Sequence, residues 1–377
     1  MRYFIIAGEA SGDLHAGNCM REMKKLDPAA VFAFTGGEHM QNVSGVDPVI
    51  DIRDMAFMGF VDVLKNIRTI RRNFKKVKEA ILAFKPDLLL LVDYPGFNLR
   101  MAEWAFNHGI RVDYYISPTV WAWKEGRVET IKKFTHKLFV ILPFEEAFYK
   151  KHDHKVYFVG HPLLDAVEKQ RPSFRTEDKF RKDNHLGTKQ LVAVLPGSRV
   201  QEIERMLGIM LEVTKKFPHY EFVVAGSSTL PSSHYESLGQ HGIKVLFGQT
   251  YELMTFAKAG IIKSGTSTLE SALLRLPQVV CYKGGGLSFA IGKRLVNVKY
   301  ISLVNLIMDK PVVKELIQTD LTSANISAEL ERLLHDEFYR EEMLKEYDEL
   351  IRQLGGGGAS RRIAEYIVKD AKAMKPA

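Results

Sequence analysis

The chain has only two cysteines in 377 residues, Cys19 and Cys281, far apart in sequence. They supply no disulfide framework, which suits a reducing compartment. Long apolar runs are also lacking. No run approaches the about 20 residues needed to cross a bilayer as a helix, and the apolar stretch in residues 1–8 is too short for a secretory leader. A cytoplasmic protein is therefore expected. No glycine cluster matches G-x-G-x-x-G, which argues against a dinucleotide-dependent dehydrogenase. There is no Asp-x-Asp pair to hold a divalent ion on a diphosphate. His152, His154 and His161 lack a neighbouring Cys or Glu set, so no metal centre and no cofactor are expected. No repeat of 20–50 residues is found, and the only low-complexity tract is Gly355–Gly358.

What is present is an ordinary globular composition, 46% hydrophobic and 26% charged, in a chain long enough for two cores. The net charge of +8 is concentrated. Between residues 65 and 85 stand Lys65, Arg68, Arg71, Arg72, Lys75, Lys76, Lys78 and Lys85, against Glu79 alone. A nucleic-acid binder would spread cations among exposed aromatics over a face, so nucleic acid is not an expected partner. The stretch just before these cations carries Met55, Phe57, Met58 and Phe60. Leu64, Ile67, Ile70, Phe74, Val77 and Ile81 then fall on one helical face, which reads as core. A Met/Phe-rich loop feeding a cationic helix has the pattern of an element lying on a membrane surface; the bland alternative is a solvated face.

Strand-like and helix-like stretches alternate through most of the chain, the pattern of parallel sheets wound by helices. Tyr3–Ala7, Leu88–Val92, Val112–Ile116 and Lys137–Leu142 read as strands of a first domain. Leu191–Leu195, Tyr220–Ala225, Ile243–Phe247 and Gln278–Tyr282 read as strands of a second. The polar segment 163–190 separates them. The expected domains are 1–170, 171–345 and a helical tail, 346–377.

Chemistry-bearing residues collect where strands end, the edge at which wound sheets bind ligands. Gly260-Ile-Ile-Lys-Ser-Gly-Thr-Ser-Thr-Leu-Glu270 runs from strand through a Gly-containing turn to a helix start. Free N–H groups and the positive dipole end make such a turn an anion site, and Glu270 is placed to accept from ribose hydroxyls. The same residues also read as an S-x-x-E capping box. Arg199 follows another strand and could neutralise a diphosphate. Asp93 follows Leu88–Val92, where the alternative is a turn Asp before Pro95. The loop Gly8-Glu-Ala-Ser-Gly-Asp13 is either a ligand loop or a plain turn capped by Ser11 or Asp13. Trp121 and Trp123, two residues apart, are expected to line a pocket or a domain contact.

Several motifs occur in a fixed order: Gly8-Glu-Ala-Ser-Gly-Asp13, Asp93-x-Pro-x-Phe-Asn98, Ser117-Pro-x-Val-Trp-Ala-Trp123, Leu142-Pro-Phe-Glu145, Gly160-His161, Leu195-Pro-Gly-Ser-Arg199, Ser264-Gly-Thr-x-x-Leu-Glu270 and Ser302-Leu-x-Asn-Leu306. The ordered set, over about residues 3 to 320, resembles the lipid-A-disaccharide synthases. These are inverting glycosyltransferases of the α/β GT-B fold, with two Rossmann-like doubly wound domains facing across a cleft. Val304 stands where the family often has Pro, and the polyglycine stretch is not a family feature. The resemblance implies two substrates, UDP-2,3-diacylglucosamine and 2,3-diacylglucosamine 1-phosphate, and action at the cytoplasmic face of the inner membrane. It allows a homodimer. It also implies Asp93 as the base, with Glu9 or Asp13 as alternatives. Arg199, Gly226, Gln249, Met254, Ser264, Gly265, Thr266, Ser267, Glu270 and Asn305 would hold the donor. Ser11, Met58, Phe60, Arg72, Lys75, Lys76, Trp121 and Trp123 would face acceptor or membrane. Other UDP-sugar enzymes of this fold, an epimerase or a lipid-linked GlcNAc transferase, are the alternative.

Overall fold

In β1 (Arg2–Ala7), Tyr3, Ile5 and Ala7 join one apolar cluster, while Phe4 and Ile6 join another. β4 (Leu88–Val92) alternates in the same way, with Leu88, Leu90 and Val92 on one side and Leu89 and Leu91 on the other. A strand buried on both faces needs apolar residues at every position, which explains the unbroken Leu-Leu-Leu-Leu-Val run. The sheet therefore has a helical layer on each face. The computed structural model describes residues 1–55, 66–227, 230–235, 242–285 and 299–373. Met58 and Phe60 lie outside them.

The chain divides into two compact units, Met1–Asp165 with Leu354–Ala377, and Ala166–Gln353. Sequence alone set the division at 170/171 and kept 346–377 apart. In the structure the crossing lies within the helix Pro162–Gln170, and the last helix belongs to the first unit. The first unit also contains β2 (Val31–Gly36), β3 (Ile50–Asp51), β5 (Val112–Tyr115), β6 (Lys137–Val140) and β7 (Tyr157–Phe158). Its strand order is β3-β2-β1-β4-β5-β6-β7, all parallel. The second unit holds β8 (Gln190–Leu195), β9 (Tyr220–Gly226), β10 (Lys244–Phe247), β11 (Ala257–Lys263), β12 (Gln278–Tyr282) and β13 (Lys314–Ile317). Its order, β10-β9-β8-β11-β12-β13, repeats the doubly wound pattern, again all parallel. Each sheet reverses direction of winding once, between β1 and β4 and between β8 and β11. Ligands of doubly wound sheets sit beyond the carboxyl ends of those strands.

The basic helix, Ile67–Phe84, buries Asn73, Val77 and Ile81 and leaves Arg68, Arg71, Arg72, Lys75 and Lys76 exposed. Among the described helices none is long and apolar enough to cross a membrane. The last helix, Ala359–Ala373, packs Ile363, Ala364, Ile367, Val368 and Ala371 into the cluster that also holds Ala16, Cys19, Met20 and Met23. The glycine stretch before it is a turn in which Gly355, Gly356 and Gly358 have φ of 81°, 66° and 90°, values that side chains resist. Asp165 then accepts from Gly358 N at 2.5 Å and Ser360 N at 2.8 Å, capping the helix across 193 residues of sequence. Farther along, Asp370 pairs with Arg111 at 3.1 Å and with Lys137. Asp113 and His136 bring possible ligand atoms within 4.8 Å of Asp370, but those two cations already occupy that carboxylate.

Removing the cap should loosen this return of the chain. Asp165→Ala is expected to cost about 1–2 kcal/mol in urea denaturation. Hydrogen exchange should quicken across residues 359–373; unchanged exchange there would mean that side-chain packing alone holds the helix.

Candidate active site

The first switch point is organised by backbone strain at the end of β4. Asp93 and Tyr94 have φ of 47° and 50°, consecutive left-handed residues that are not glycine. Each costs of order 1 kcal/mol or more, so surrounding groups must hold them. Asn98 Nδ2 donates to the Asp93 carbonyl at 2.8 Å and to that of Val92 at 3.2 Å. Tyr114 Oη donates to the same Asp93 oxygen at 2.6 Å, and Tyr94 Oη reaches Met55 O at 2.6 Å. Gly8 permits the packing: a Cβ there would lie 2.3 Å from the Tyr94 ring. The result is a fixed, half-buried carboxylate. Burial raises the Asp93 pKa above the ordinary aspartate value, against the lowering effect of the Tyr94 N–H.

The loop after β1 contributes differently. Asp13 is buried, and its carboxylate accepts from Gly37 N at 2.7 Å, His39 N at 3.0 Å and Met40 N at 3.2 Å. Those bonds tie the two loops together and take up the group. Glu9 instead lines a groove of about 1040 Å³ with Tyr94 and Phe97. Ile67, Ile70, Phe74 and Trp104 supply apolar wall, and Arg71, Lys78 and Arg100 supply charge. Lys78 Nζ stands 4.6 Å from the Phe74 ring centre and 5.1 Å from that of Trp104. Ser11 is exposed in the first turn of the helix Ala10–Leu26.

Trp121 packs edge-on against Phe144, whereas Trp123 is 47% exposed with Lys124 Nζ 4.2 Å from its ring centre. Close by in sequence, Glu145 accepts from Ile141 N at 3.1 Å and Leu142 N at 2.9 Å at the start of the helix Pro143–Lys150. Burial outweighs those bonds and pushes its carboxyl up to about 7.

At the second switch point β11 ends in Lys263, and the helix Thr266–Leu273 starts with Gly265 as its N-cap. Gly265 brings no capping side chain, and Ser267 lies inside the helix and not at its N-cap, so the S-x-x-E capping box does not form. Ser264 Oγ donates to Ile301 O at 2.8 Å, and Thr268 Oγ1 to Gly265 O at 2.8 Å. Both stiffen the turn. Thr266 is exposed and Ser267 is half-buried. Glu270 accepts from Tyr251 Oη at 2.8 Å, and its pKa is raised chiefly by burial. Across from this turn, Glu202 accepts from Ser198 N at 3.1 Å and pairs with Lys263 at 2.7 Å and Arg199 at 3.8 Å.

Other residues named from the sequence have internal partners. The Gln249 amide is shared with Arg175 and Asn184. Asn305 is buried, donating to Val313 O at 2.8 Å and Glu315 at 3.0 Å and accepting from Val313 N at 2.9 Å. Met254 is buried, and Gly226 closes β9 against the Phe247 ring. Sequence reading overlooked Lys263, Glu202 and Tyr251. A lysine ending an apolar strand at the winding reversal was the available signal for the first.

A family model described as lipid-A-disaccharide synthetase matches residues 3–370. The chain belongs to that family. It is accordingly an enzyme, a glycosyltransferase of lipid A biosynthesis. A lipid-A-disaccharide synthase of Geobacter sulfurreducens is 38% identical over 375 residues, covering 98% of this chain and 97% of that one. One from Coxiella burnetii is 36% identical over 367 residues, covering 96% of each. Among solved structures, UDP-GlcNAc 2-epimerase from Neisseria meningitidis bound to UDP-GlcNAc aligns with a TM-score of 0.67 at 15% identity, covering 98% of this chain and 100% of that one. The glycotransferase of kitacinnamycin aligns with a TM-score of 0.63 at 13% identity, covering 98% and 99%. Those likenesses establish the GT-B-like α/β fold of this synthetase family member.

The Glu145 carboxyl makes a pH test of the first unit. Its raised pKa means that the folded chain favours the protonated acid. The associated stability is complete below the ordinary value near 4.5 and is lost as pH rises through about 7. Melting should weaken by up to about 3 kcal/mol over that window. Glu145→Gln should flatten the decline; an equal decline in the variant would assign it to other groups.

Proposed function

We propose that the chain moves 2,3-diacylglucosamine from its UDP derivative to the 6-hydroxyl of 2,3-diacylglucosamine 1-phosphate, giving the β-1′,6-linked disaccharide 1-phosphate and UDP. The observation that carries this reading is the contrast between the two switch points. Carboxylates, Asp93 and Glu9, stand at the first; two cations and an uncapped helix start stand at the second. Transfer needs one of each, a base for the acceptor proton and a positive cradle for the leaving diphosphate.

In this mechanism Asp93 accepts the hydroxyl proton as the acceptor oxygen attacks the anomeric carbon from the face opposite the diphosphate. The carbon–oxygen bond to phosphate breaks, its electron pair leaves with UDP, and the configuration inverts. Arg199 and the amides of Ser264, Gly265, Thr266 and Ser267 neutralise the departing diphosphate. Glu270, oriented by Tyr251, receives the ribose hydroxyls. The Gly248–Met254 backbone borders the uracil, and Gly226 contributes to the donor site. No divalent ion is assigned a step, since these groups supply the neutralising charge.

Both substrates carry acyl chains, so the enzyme must work at a bilayer. The groove offers apolar and aromatic wall for a chain and Arg71, Lys78 and Arg100 for the acceptor phosphate. The exposed Arg72, Lys75 and Lys76 face anionic lipid at the cytoplasmic side of the inner membrane, with Met58, Phe60 and Trp123 as apolar contacts.

Mass spectrometry of the product made from the two diacyl substrates tests the reaction. If unacylated UDP-GlcNAc serves as well as the diacyl donor, the reading is wrong and an epimerase or a lipid-linked GlcNAc transferase takes its place. Asp93→Asn should lower turnover by about 10²–10⁴ while leaving UDP affinity nearly unchanged. The base works unprotonated and its pKa is raised, so wild-type activity should fall, as pH drops, above the ordinary aspartate range near about 3.9. A loss below about tenfold would place the base elsewhere. Replacing Arg72, Lys75 and Lys76 together by Glu should weaken sedimentation with anionic vesicles by at least about 100-fold, at about 1 kcal/mol per cation. Unchanged sedimentation would put the contact on another surface.

A further inference from the structure

Lys263 occupies an electrostatically awkward place. It ends β11, and its ammonium lies so close to Gly265 that a Cβ there would stand 3.6 Å from Nζ. Gly265 is the N-cap of the helix Thr266–Leu273, whose dipole already puts positive charge at that spot. A second helix, Val200–Glu212, begins at Arg199, adding another positive end. A cation among positive helix ends is stabilised by an anion beside it. Here that anion is the Glu202 carboxylate, 2.7 Å from Lys263 and 3.8 Å from Arg199. The side chains of Lys263 and Glu202 are 19% and 16% exposed, so solvent screens their pairing only in part. The Glu202 carboxylate is thus shared between Lys263 and Arg199, beside two helix starts.

We propose that Lys263 is a second diphosphate-binding cation and that Glu202 is its resident counter-ion, displaced when the nucleotide diphosphate arrives. This rests on the placement of UDP at residues 264–270. A sugar nucleotide brings two negative charges to a position now shared with one carboxylate. The leaving UDP carries one more negative charge than its diester, so attraction to Lys263 grows as the glycosidic bond breaks. Glu202 keeps its hold on Ser198 N and Arg199, and returns to the ammonium as UDP departs.

The two side chains then have opposite effects on nucleotide affinity, which an ordinary salt bridge would not produce. Isothermal titration with UDP should show about tenfold weaker binding for Lys263→Met and tighter binding, by about threefold to tenfold, for Glu202→Gln. Gln still accepts from Ser198 N, so the loop is retained. Lys263→Arg should stay within about threefold of wild type in affinity, while Lys263→Met also lowers kcat with the diacyl donor. Thermal melts confirm that each variant is folded, and Lys263→Gln replaces Lys263→Met if the latter is not. UDP binding by wild type with Glu202→Gln unchanged or weaker would overturn the counter-ion role alone. Unchanged affinity in both Lys263→Met and Lys263→Gln would overturn the cation role. No UDP binding by wild type would overturn the site and this inference together.

Discussion

Parallel strands joined by right-handed crossovers send their helices to one face of the sheet while the order runs one way, and to the other face once it reverses. At the reversal the two following loops part, and a gap opens beyond the strand ends that no helix fills. The candidate site residues of both units are placed by that constraint. It applies twice, at β1 and β4 and again at β8 and β11. In the first unit, buried strands such as Leu88–Val92 hold the gap rigid enough for a strained carboxylate at Asp93. In the second it gathers Arg199, Lys263 and the start of the helix Thr266–Leu273.

Residue type alone does not decide which polar side chains face such a gap. Asp13 and Asp93 are both aspartates beyond the ends of neighbouring strands. Asp13 meets three backbone N–H groups and becomes an internal tie, whereas Asp93 is held chiefly through its own backbone carbonyl, leaving its carboxylate half-buried with the Tyr94 N–H as donor. Asn305 and the half-buried Gln249 went the way of Asp13, because an amide taken out of water has to satisfy its donors and acceptor locally.

The helix Ile67–Phe84 combines two demands in a single amphipathic element. Val77 and Ile81 anchor it to the sheet, and its Phe74 ring packs edge-on against Phe97, which in turn stacks on Tyr94. An aromatic path therefore leads from the cationic helix to the neighbour of Asp93. That continuity ties the cationic helix to the strained end of β4 at Asp93 and Tyr94.

Much of this was legible in the chain itself. Alternation of apolar runs with 3.6-residue patterns marked two wound sheets, and the residues ending those runs marked the candidate site, because both signals are local. The apolar stripe Ile363, Ala364, Ile367, Val368 and Ala371 was readable too, but its destination was not. β3 and β13 escaped notice because strands of two and four residues carry little period, and β2 was passed over although it is as long as β1. Local chemistry determined which residue types lie at the strand ends. Only tertiary structure decided that Asp165 would cap a helix 193 residues on, that Asp13 would be consumed by hydrogen bonds, and that Glu202 would settle on Lys263. Each of those outcomes depends on distances between segments remote in sequence, and spacing along one chain does not encode them.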